Sequence, residues 1–442
     1  MPVDTEHRFR YLLPPGNNFA FVAKFKIWIV ISCLLMATSI GALFVNNAVR
    51  GSYMNWTIDF KGGTEIIYAF QDKTSHAYVN VDTGKVREGL AAAGEHDLEV
   101  SNFSWADDDG KTVQGMIVRT PRFTALPDEA EKQATADFSA KFADRKINKL
   151  SWSGDRLYVR SEKPITNQEA APVFSAVTYE KVDAKTGAKT KVSGALELKP
   201  WLPGENDQYL HADESTGEYN EVFSMWGLDR QYQQALDKAM PNVEAIPRQS
   251  YGVGAKAGDK LRNDAAKSII YALFLIMLYL AFRFDIRYAP GAAFATVHDA
   301  MMVIGVFAVT WTEVSLTSVA GLLTVMGYST NDTVIVFDRI RENQAKLKDK
   351  KIDRIVDLSL NEMLTRTILT SSTVFATTLI MNIFGTGDVR NFAFAMNIGV
   401  IVGTYSSIFL ASPIFMWISK KWYSAPSKRR IVPTRPDPQM AE

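Results

Sequence analysis

The chain has 442 residues, and its 49 lysine and arginine residues against 48 aspartate and glutamate residues give a formal net charge of +1. This near balance excludes a nucleic-acid-binding protein of the basic-patch kind, so no nucleic acid is expected among its partners. The mean hydropathy of -0.06 hides about six nearly uncharged stretches of roughly 20 residues, each long enough to cross a bilayer. A purely soluble enzyme is therefore excluded, and so is a protein that lies wholly in the membrane.

The uncharged stretches are predicted to form six transmembrane helices. They cover residues 25–45, 266–282, 289–311, 316–337, 363–384 and 392–417. The last three are crowded with glycine, alanine, serine and threonine, which predicts close packing against other helices. Gly399 and Gly403 stand at GxxxG spacing in the sixth. We interpret this pair as an ordinary contact between helices of one chain, with a dimer face as the alternative.

Basic residues outside the six segments predict how the chain is oriented. They precede the first segment, join the second to the third, fill the connection between the fourth and fifth, and follow the sixth. Lysine and arginine accumulate on the cytoplasmic side of a membrane. We therefore predict a multi-pass protein of the cell inner (plasma) membrane, with a cytoplasmic N-terminal segment (1–24), a cytoplasmic tail (418–442) and a periplasmic domain (46–265). The first segment is interpreted as a retained helix, since no convincing small-x-small cleavage site follows it.

The periplasmic domain is predicted to be ferredoxin-like. The fold class is thus an α-helical membrane protein with six transmembrane helices plus an α+β ferredoxin-like domain that carries an insert. The pattern begins with a strand, a helix and two strands, at residues 64–70, 83–93, 98–103 and 115–120, the last after a turn at 108–110. A matching helix and strand come only at residues 228–240 and 243–248. This order indicates a split βαβ arrangement with an insert at about 121–222.

The insert has predicted elements of its own. They are a helix at 128–143, a hairpin of strands at 148–152 and 156–160, and a helix at 167–175. The first of these helices competes with the one at 228–240 for the second helix of the ferredoxin-like unit, and the sequence leaves this choice open. Four aromatic residues are interpreted as a small core of the insert rather than as a surface that grips unfolded chains: Trp152, Tyr158, Phe174 and Tyr179.

No catalytic motif is found in the sequence. Gly252, Gly254 and Gly258 do not form a P-loop, because Asp259 separates the last glycine from Lys260, and HExxH, CxxC and GxSxG motifs are absent. The chain is therefore not predicted to be an enzyme, and neither a cofactor nor a metal ion is expected.

The unusual feature is a set of ionisable residues at membrane depth. Asp332 lies six residues before Asp338, where the fourth segment leaves the membrane, and Arg366 lies at a comparable depth in the fifth, roughly 9 Å inside the cytoplasmic edge. A charge there costs about 2.5–3.5 kcal/mol, so an aspartate that faces an arginine, or a water path, is expected. Two interpretations remain open. One is a static ion pair, and the other is a carboxylate that gains and loses a proton, with water ordered by Asn331 and Thr333.

His298 and Asp299 form a second polar pair, about 13 Å into the third segment. They are predicted either to relay protons or to bond small polar residues of the fifth and sixth segments. The sequence favours neither role. His298 and Asp299 therefore stay as candidate residues of the proton path.

Several motifs together resemble the SecF proteins of the SecD/SecF family, which belongs to the resistance-nodulation-division (RND) superfamily. The family's DFxGGT motif after the first helix is similar to the run Asp59, Phe60, Lys61, Gly62, Gly63 and Thr64. Residues 327–343 resemble the fourth-helix signature, which ends in the charged block Asp338, Arg339, Ile340, Arg341, Glu342 and Asn343. Residues 365–367 and 403–407 match the fifth and sixth helices. The insert has no counterpart in this resemblance.

The resemblance implies a role in protein transport through the Sec pathway. The chain would pair with SecD at the SecYEG translocon, in membrane lipid, and use the proton motive force to draw translocating preproteins out on the periplasmic side. By position, Asp332 and Arg366 would be proton-path residues. Gly62 and Gly63 would make a tight link after the first helix, because glycine tolerates positive φ. The energy source would be the proton gradient, without a bound cofactor.

Two alternatives of other classes remain. One is a membrane-anchored scaffold or chaperone of the translocon that does not transduce energy. The other is a half-size exporter of small molecules from the same superfamily, which is weakened because only one six-helix half is present.

Overall fold

The structure is a computed structural model that describes residues 18–95, 97–106, 111–182, 189–193, 196–283 and 287–423. These residues divide into two compact units. One contains the described residues up to Asn55 and from Lys267 onward, and the other contains Trp56–Ala266. We call the first the helical unit and the second the α+β unit.

Helices and strands are numbered in chain order. The helices are α1 (Phe21–Arg50), α2 (Ile58–Lys61), α3 (Thr83–Ala92), α4 (Asp128–Lys141), α5 (Asn167–Ser175), α6 (Pro203–Tyr209), α7 (Leu228–Ala239), α8 (Ala255–Arg283), α9 (Ala289–Thr310), α10 (Leu316–Lys346), α11 (Ile352–Phe384), α12 (Gly387–Ser406) and α13 (Ser412–Tyr423). The strands are β1 (Asn55–Trp56), β2 (Gly63–Asp72), β3 (Glu99–Ala106), β4 (Thr112–Thr120), β5 (Ile147–Ser153), β6 (Arg156–Ser161), β7 (Thr178–Val182), β8 (Lys189–Ser193), β9 (Tyr219–Ser224), β10 (Val243–Val253) and β11 (Glu313–Val314). A π-helical turn, Ser407–Ala411, separates α12 from α13.

Each predicted transmembrane segment is helical in the structure. Within the described ranges, five helical stretches are long and apolar enough to cross a membrane: Phe21–Arg50, Ala255–Arg283, Ala289–Thr310, Ile352–Phe384 and Gly387–Lys421. The predicted fourth segment forms α10 but is not one of the five, because serine, threonine, asparagine and aspartate residues near its centre lower its mean hydropathy. The chain is therefore a mostly helical membrane protein, with five candidate spans where six are predicted.

α12 packs against α9, α10 and α11 at once. Its Gly399 and Gly403 face Val325 and Ser329 of α10, and a Cβ atom added at Gly403 would lie 3.0 Å from Ser329 Cβ. The GxxxG pair is therefore a contact between helices of one chain, as predicted. Because glycine has no side chain, the backbones of α10 and α12 approach closely enough for short polar side chains to meet between the helices.

The α+β unit is built on a four-stranded antiparallel sheet with the strand order β10-β2-β4-β3. α3 and α7 pack against each other, and they share a core with Tyr68 and Phe70 of β2. Of the two helices between which the sequence does not choose, the one that follows the insert, α7, is therefore the one that packs with α3 on this sheet. The predicted turn at 108–110 lies outside the described residues.

The insert has a separate core. It contains a three-stranded antiparallel sheet with the order β5-β6-β9, and α4 and α5 pack against each other beside it. The rings of Phe138, Phe174 and Phe223 meet at centroid distances between 5.4 and 6.2 Å. β9 pairs with β6 as far as Ser224, so the sheet of the insert continues past residue 222.

The four aromatic residues predicted as the core of the insert differ in position. Phe174 is fully buried and Trp152 packs against the same cluster, so the prediction is confirmed for both. Tyr158 is 39% exposed, and the prediction is wrong for it, because side chains alternate along a strand and Tyr158 falls on the outward face of β6. The side chain of Tyr179 lies outside the described part of the chain.

The chain enters and leaves the α+β unit at one junction. α2 is followed by Gly62 and Gly63, whose φ angles are 80° and 122°, values that favour glycine. A Cβ atom added at Gly62 would lie 2.7 Å from Cα of Ala255, the first residue of α8, and one added at Gly258 would lie 3.1 Å from the backbone nitrogen of Gly62. The incoming and outgoing segments are therefore in backbone contact.

Glu221 is a buried carboxyl group inside the insert. The residue is 1% exposed, and its side chain accepts hydrogen bonds from the backbone N–H of Ile165 at 2.9 Å and from Ser161 Oγ at 3.2 Å. Burial raises the pKa of Glu221 to about 7, in opposition to these hydrogen bonds. The protonated form is thus the one that the folded insert favours.

We expect the stability of the insert to fall as the pH rises from about 4.3 to about 7. A raised pKa in the folded state means that Glu221 contributes its full stabilisation below its unfolded pKa of about 4.3, and that this contribution is lost as the carboxyl group ionises. Glu221→Gln should remove this dependence and raise the free energy of unfolding at pH 8 by about 1–2 kcal/mol. Hydrogen exchange of β6 and β9 amides at pH 5 and pH 8 measures it. Glu214→Gln, at an exposed glutamate of the same insert, is the control, and an unchanged pH profile in Glu221→Gln would contradict the prediction.

Candidate functional site

Asp332 lies inside the helical unit among hydroxyl groups from three helices. The residue, on α10, is 2% exposed, and its carboxyl group accepts a hydrogen bond from Ser371 Oγ of α11 at 3.4 Å. Ser371 Oγ in turn accepts from Thr404 Oγ1 of α12 at 2.7 Å and from Tyr328 Oη at 3.4 Å. The carboxyl group is therefore the end of a short chain of hydroxyl groups.

Arg366 does not make the close contact with Asp332 that a static ion pair requires. No ion pair within 4.0 Å joins the two in the described part of the helical unit, although Arg366 acts on Asp332 electrostatically. Successive residues of a helix point about 100° apart, and α11 faces Asp332 with Ser371 and buries Thr367 one turn before it. Arg366, one residue before Thr367, is exposed.

The two neighbours of Asp332 point in different directions. Asn331 is exposed, whereas Thr333 is buried and its Oγ1 has no hydrogen-bond partner among the described residues. Only Thr333 is therefore enclosed in the protein together with the carboxyl group of Asp332.

The second polar pair is also enclosed. Asp299 of α9 is 0% exposed, and its Oδ2 accepts hydrogen bonds from Ser406 Oγ at 2.6 Å and from Ser329 Oγ. His298 Nδ1 lies 2.9 Å from Asp299 Oδ1, and its other ring nitrogen, Nε2, is buried without a partner in the described residues. Asp299 therefore bonds small polar residues, as one alternative predicts. These residues lie on α10, the predicted fourth segment, and on α12, in the predicted sixth segment, whereas the prediction named the fifth and sixth.

The two carboxyl groups are connected through shared helices. On α12, Thr404 donates to Ser371, which bonds Asp332, and Ser406, two residues further along, donates to Asp299. On α10, Ser329 lies one turn before Asp332, on the same side of the helix. Hydroxyl groups both donate and accept, so this band can hold and pass protons, and it can also fix the spacing of the helices. No group of three or more potential metal ligands is found among the described residues.

Sequence reasoning missed the hydroxyl partners. The sequence places Ser329, Thr404 and Ser406 in motifs that resemble the family and Ser371 in a segment rich in small residues, but it assigns none of them as a partner of a carboxyl group. Hydroxyl groups inside predicted transmembrane segments are a usable signal, because a buried carboxyl group needs hydrogen-bond donors.

The charged block at the end of α10 is joined to α11. Arg339 Nε donates to Glu362 at 2.6 Å, and Asn343 Nδ2 donates to Ser359 Oγ at 2.9 Å and to Glu362 at 2.7 Å. Within α10 itself, Arg341 pairs with Asp338 and Arg339 pairs with Glu342. This part of the motif therefore fixes the turn between the two helices.

The other motif, at the start of the α+β unit, is structural in its contacts. Phe60 is almost fully buried, and its ring meets Trp56 at 5.2 Å. Thr57 Oγ1 donates to Asp59 in the first turn of α2 at 3.3 Å, and Thr64 is buried at the start of β2. Together with Gly62 and Gly63, these residues build the junction described above.

Comparison with known proteins gives one consistent result. Residues 231–421 match the family described as "Protein export membrane protein SecD/SecF, C-terminal". A protein translocase subunit SecF of Rhodothermus marinus is 35% identical over 276 residues, which cover 58% of this chain and 87% of that protein. A protein translocase subunit SecF of Gemmatimonas aurantiaca is 40% identical over 197 residues, which cover 44% of this chain and 59% of that protein. The second match thus spans less than two thirds of that relative.

A solved structure is similar in fold. The crystal structure of SecDF, a translocon-associated membrane protein from Thermus thermophilus, aligns with a TM-score of 0.53 and 24% identity, covering 90% of this chain and 38% of that one. The chain therefore spans well under half the length of that solved protein. At this level of identity the likeness concerns the fold.

Proposed function

The chain belongs to the SecD/SecF family of protein-export membrane proteins, and on that basis we propose that it is a SecF-type subunit that uses the proton motive force to complete polypeptide export. In this role it pairs with SecD, works at the SecYEG translocon in the inner membrane, and acts on translocating preproteins. It catalyses no covalent reaction and needs no cofactor, since the proton gradient supplies the energy.

The observation that carries the proposal is the enclosed carboxyl group of Asp332. A charged carboxylate inside a membrane protein is costly unless it is hydrogen-bonded or paired, so gain and loss of a proton there changes the local free energy. Ser371 and Thr404 change partners with that proton, because a hydroxyl group donates to a carboxylate and accepts from a carboxylic acid. Arg366, close enough to act electrostatically but not paired, favours the charged state when it approaches.

The free energy available is sufficient for such a switch. One elementary charge that crosses the membrane yields about 2.3 kcal/mol per 100 mV, enough to shift a two-state equilibrium more than tenfold. We assign the proton path to Asp332 and Arg366, with Asn331, His298 and Asp299 as further members. For His298 and Asp299 the contacts with Ser329 and Ser406 also suit an anchor between helices, and the two roles are separated by experiment below.

We assign the remaining architecture by the same logic. α10 is the sixth spanning helix, because its two neighbours α9 and α11 are apolar candidate spans and it packs against both. The α+β unit is ferredoxin-like apart from its insert, since its chain order β2-α3-β3-β4-α7-β10 and sheet order β10-β2-β4-β3 are those of a split βαβ unit.

The proposed function is tested by export in cells. The chain is expressed in a strain that lacks its own copy, and late secretion of a reporter preprotein is timed with and without a protonophore while ATP is held constant. We expect secretion to depend on the chain and to slow when the gradient collapses. If the chain restores secretion equally well without a gradient, it is a scaffold of the translocon and not an energy transducer.

The orientation is tested by cysteine labelling. Ser153 in the turn of the insert and Lys348 between α10 and α11 are both exposed, so a cysteine at either position is accessible to a reagent on its own side. We expect a membrane-impermeant maleimide added to intact spheroplasts to label Ser153→Cys in a Cys33→Ser background, and to label Lys348→Cys only after lysis. The reverse pattern would place the α+β unit and both termini on the opposite sides.

A further inference from the structure

The N-terminal end of α1 is held by side chains of α11. α1 begins after Ala20, whose side chain cannot cap the free N–H groups of the first helical turn. Two side chains of α11 bond to this end instead. Asp357 Oδ1 accepts a hydrogen bond from the backbone N–H of Val22 at 2.9 Å, and Asn361 Oδ1 accepts one from the backbone N–H of Phe19 at 2.8 Å. We call Asp357 and Asn361 the α11 latch.

Two further hydrogen bonds accompany the latch. Asn361 Nδ2 donates to the carbonyl of Phe19 at 2.9 Å, so both polar atoms of the Asn361 amide are bonded to the main chain before α1. Arg354 Nη1 donates to Asn18 Oδ1 at 3.0 Å. Among the described residues, every hydrogen bond between α11 and the segment that contains α1 lies at residues 18–22. α11 is therefore bonded to α1 at one end only.

The rest of α1 is fixed to other helices. Asn46 Nδ2 donates to the carbonyl of Ala308 of α9 at 2.8 Å, and Tyr405 Oη of α12 donates to the carbonyl of Trp28 at 3.0 Å. The Trp28 ring also stacks on Phe409, in the π-helical turn, at a centroid distance of 4.6 Å. α1 therefore belongs to one packed group with α9 and α12, and α11 can turn against this group only if the latch bonds open.

The latch and the contact with Asp332 lie on one uninterrupted helix. α11 contains neither glycine nor proline over its 33 residues, which are the residues at which helices most often kink. Around the helix axis, Asp357 lies about 40° from Ser371 and about 180° from Arg366. The latch therefore holds the side of α11 that presents Ser371 to Asp332, and Arg366 stays exposed on another side. A turn that brings Arg366 to Asp332 takes Asp357 away from α1.

We propose that the α11 latch holds this helix in the rotation that keeps Arg366 apart from Asp332, and that the latch opens when the arginine approaches. Asp357 and Asn361 are thus positioning residues, which set the side of α11 that faces α10. Since α1 leads along the chain into the α+β unit, opening of the latch also releases the start of the helix that precedes that unit. The use of this movement in export rests on the proposed function, whereas the turn of α11 itself does not.

The turn of α11 is tested by thiol labelling of the full chain in detergent. Thr367 is 3% exposed, and the proposed turn moves it to the half-buried place of Ile368. In a Cys33→Ser background, which removes the only cysteine of the chain, Thr367→Cys should therefore react slowly with N-ethylmaleimide. We expect Asp357→Ala together with Asn361→Ala to speed this reaction at least tenfold. An unchanged rate would overturn the proposal.

Two controls identify a local turn. Asp349→Ala removes an exposed aspartate just before α11, and we expect it to leave the labelling rate of Thr367→Cys unchanged. Val303→Cys, at a position of α9 that is 2% exposed, reports a general loosening of the helices, and we expect its labelling to stay slow when the latch is removed. Equal acceleration at both cysteines would overturn the proposal, because the latch would then only stabilise the fold. The same acceleration by Asp349→Ala would overturn it too.

A removable tether tests the use of this turn in export. Asn18 and Arg354 are exposed and bonded to each other. Cysteines at these two positions, again without Cys33, are joined by a short bis-methanethiosulfonate reagent that dithiothreitol removes. In membrane vesicles of the strain used for the secretion test, we expect the tether to lower gradient-dependent translocation at least tenfold and dithiothreitol to restore it. The reagent should not change translocation by either single-cysteine variant.

The outcomes separate the latch from the proposed function. Full gradient-dependent translocation by the tethered chain would overturn the proposal, because Arg366 would then reach Asp332 by movement of its side chain alone. If untreated vesicles show no dependence on the gradient, the proposed function fails. The labelling rates, which are measured without a gradient, then decide whether the latch holds α11.

Discussion

Replacement of Asp332 by asparagine is expected to abolish the gradient-dependent part of export while the protein still accumulates in the membrane and co-purifies with SecD. Asparagine has nearly the shape of protonated aspartate and can still accept the hydrogen bond from Ser371, so the fold is preserved. It cannot release a proton, so a transition that requires the charged state no longer occurs. Late secretion with and without a protonophore measures this, and we expect the two rates to become equal.

Asp338→Asn is the matched control for this variant. It makes the same chemical change six residues further along α10, at an exposed carboxylate that pairs with Arg341. We expect near-normal gradient-dependent secretion in Asp338→Asn. Arg366→Ala should also reduce the gradient-dependent rate, because it removes the cation that acts on Asp332. Normal export kinetics in Asp332→Asn would instead favour the static, non-transducing scaffold.

Removal of the Asp299 carboxyl group is expected to have the largest effect on stability. In Asp299→Ala, the hydroxyl groups of Ser329 and Ser406 and the ring of His298 lose their common acceptor inside the protein. Each buried polar group that is left without its hydrogen-bond partner costs about 1–3 kcal/mol. We expect low accumulation in the membrane and a lower midpoint of thermal unfolding in detergent. Asp388→Ala, at an exposed aspartate near the start of α12, should leave both unchanged.

The milder variant Asp299→Asn separates the two roles of this pair. An amide oxygen can still accept from Ser329 and Ser406, so an anchor should survive with a modest loss of stability and with gradient-dependent export intact. A relay should lose gradient dependence as completely as Asp332→Asn does. The ratio of secretion rates with and without the protonophore reports the relay role. A loss of stability lowers both rates together and does not change this ratio.

The sequence predicts a common level for Asp332 and Arg366, but it does not predict their contacts. Counting residues along two antiparallel helices places Asp332 and Arg366 at one level. Residue counting does not predict which side of α11 faces α10. A rotation of α11 by about 100° about its axis places Thr367 and Ser371 where the arginine is expected. The close contacts at Gly399 and Gly403 were predictable, because only small residues permit them.

The second helix that packs on the four-stranded sheet shows a different limit. α4 buries Ala130, Ala134 and Phe138, and α7 buries Leu228, Tyr232 and Leu236. Both sets have the four-residue spacing of a helix with one buried face. The periodicity therefore does not distinguish the two helices. Long-range strand pairing decides which of them packs on the four-stranded sheet, because β9 pairs with β6 and keeps α4 within the insert.

The contact between the Gly62 and Gly258 backbones also determines how the α+β unit bears a mechanical load. The segment that enters the unit, at Gly62, and the segment that leaves it, at Gly258, run side by side. A tension on the unit is therefore shared between these two segments and does not enter at one end of the sheet and leave at the other. A tension shared by these two connections therefore does not pull β2 and β10 in opposite directions. A side chain at Gly62 would collide with the backbone of Ala255 and push these two connections apart.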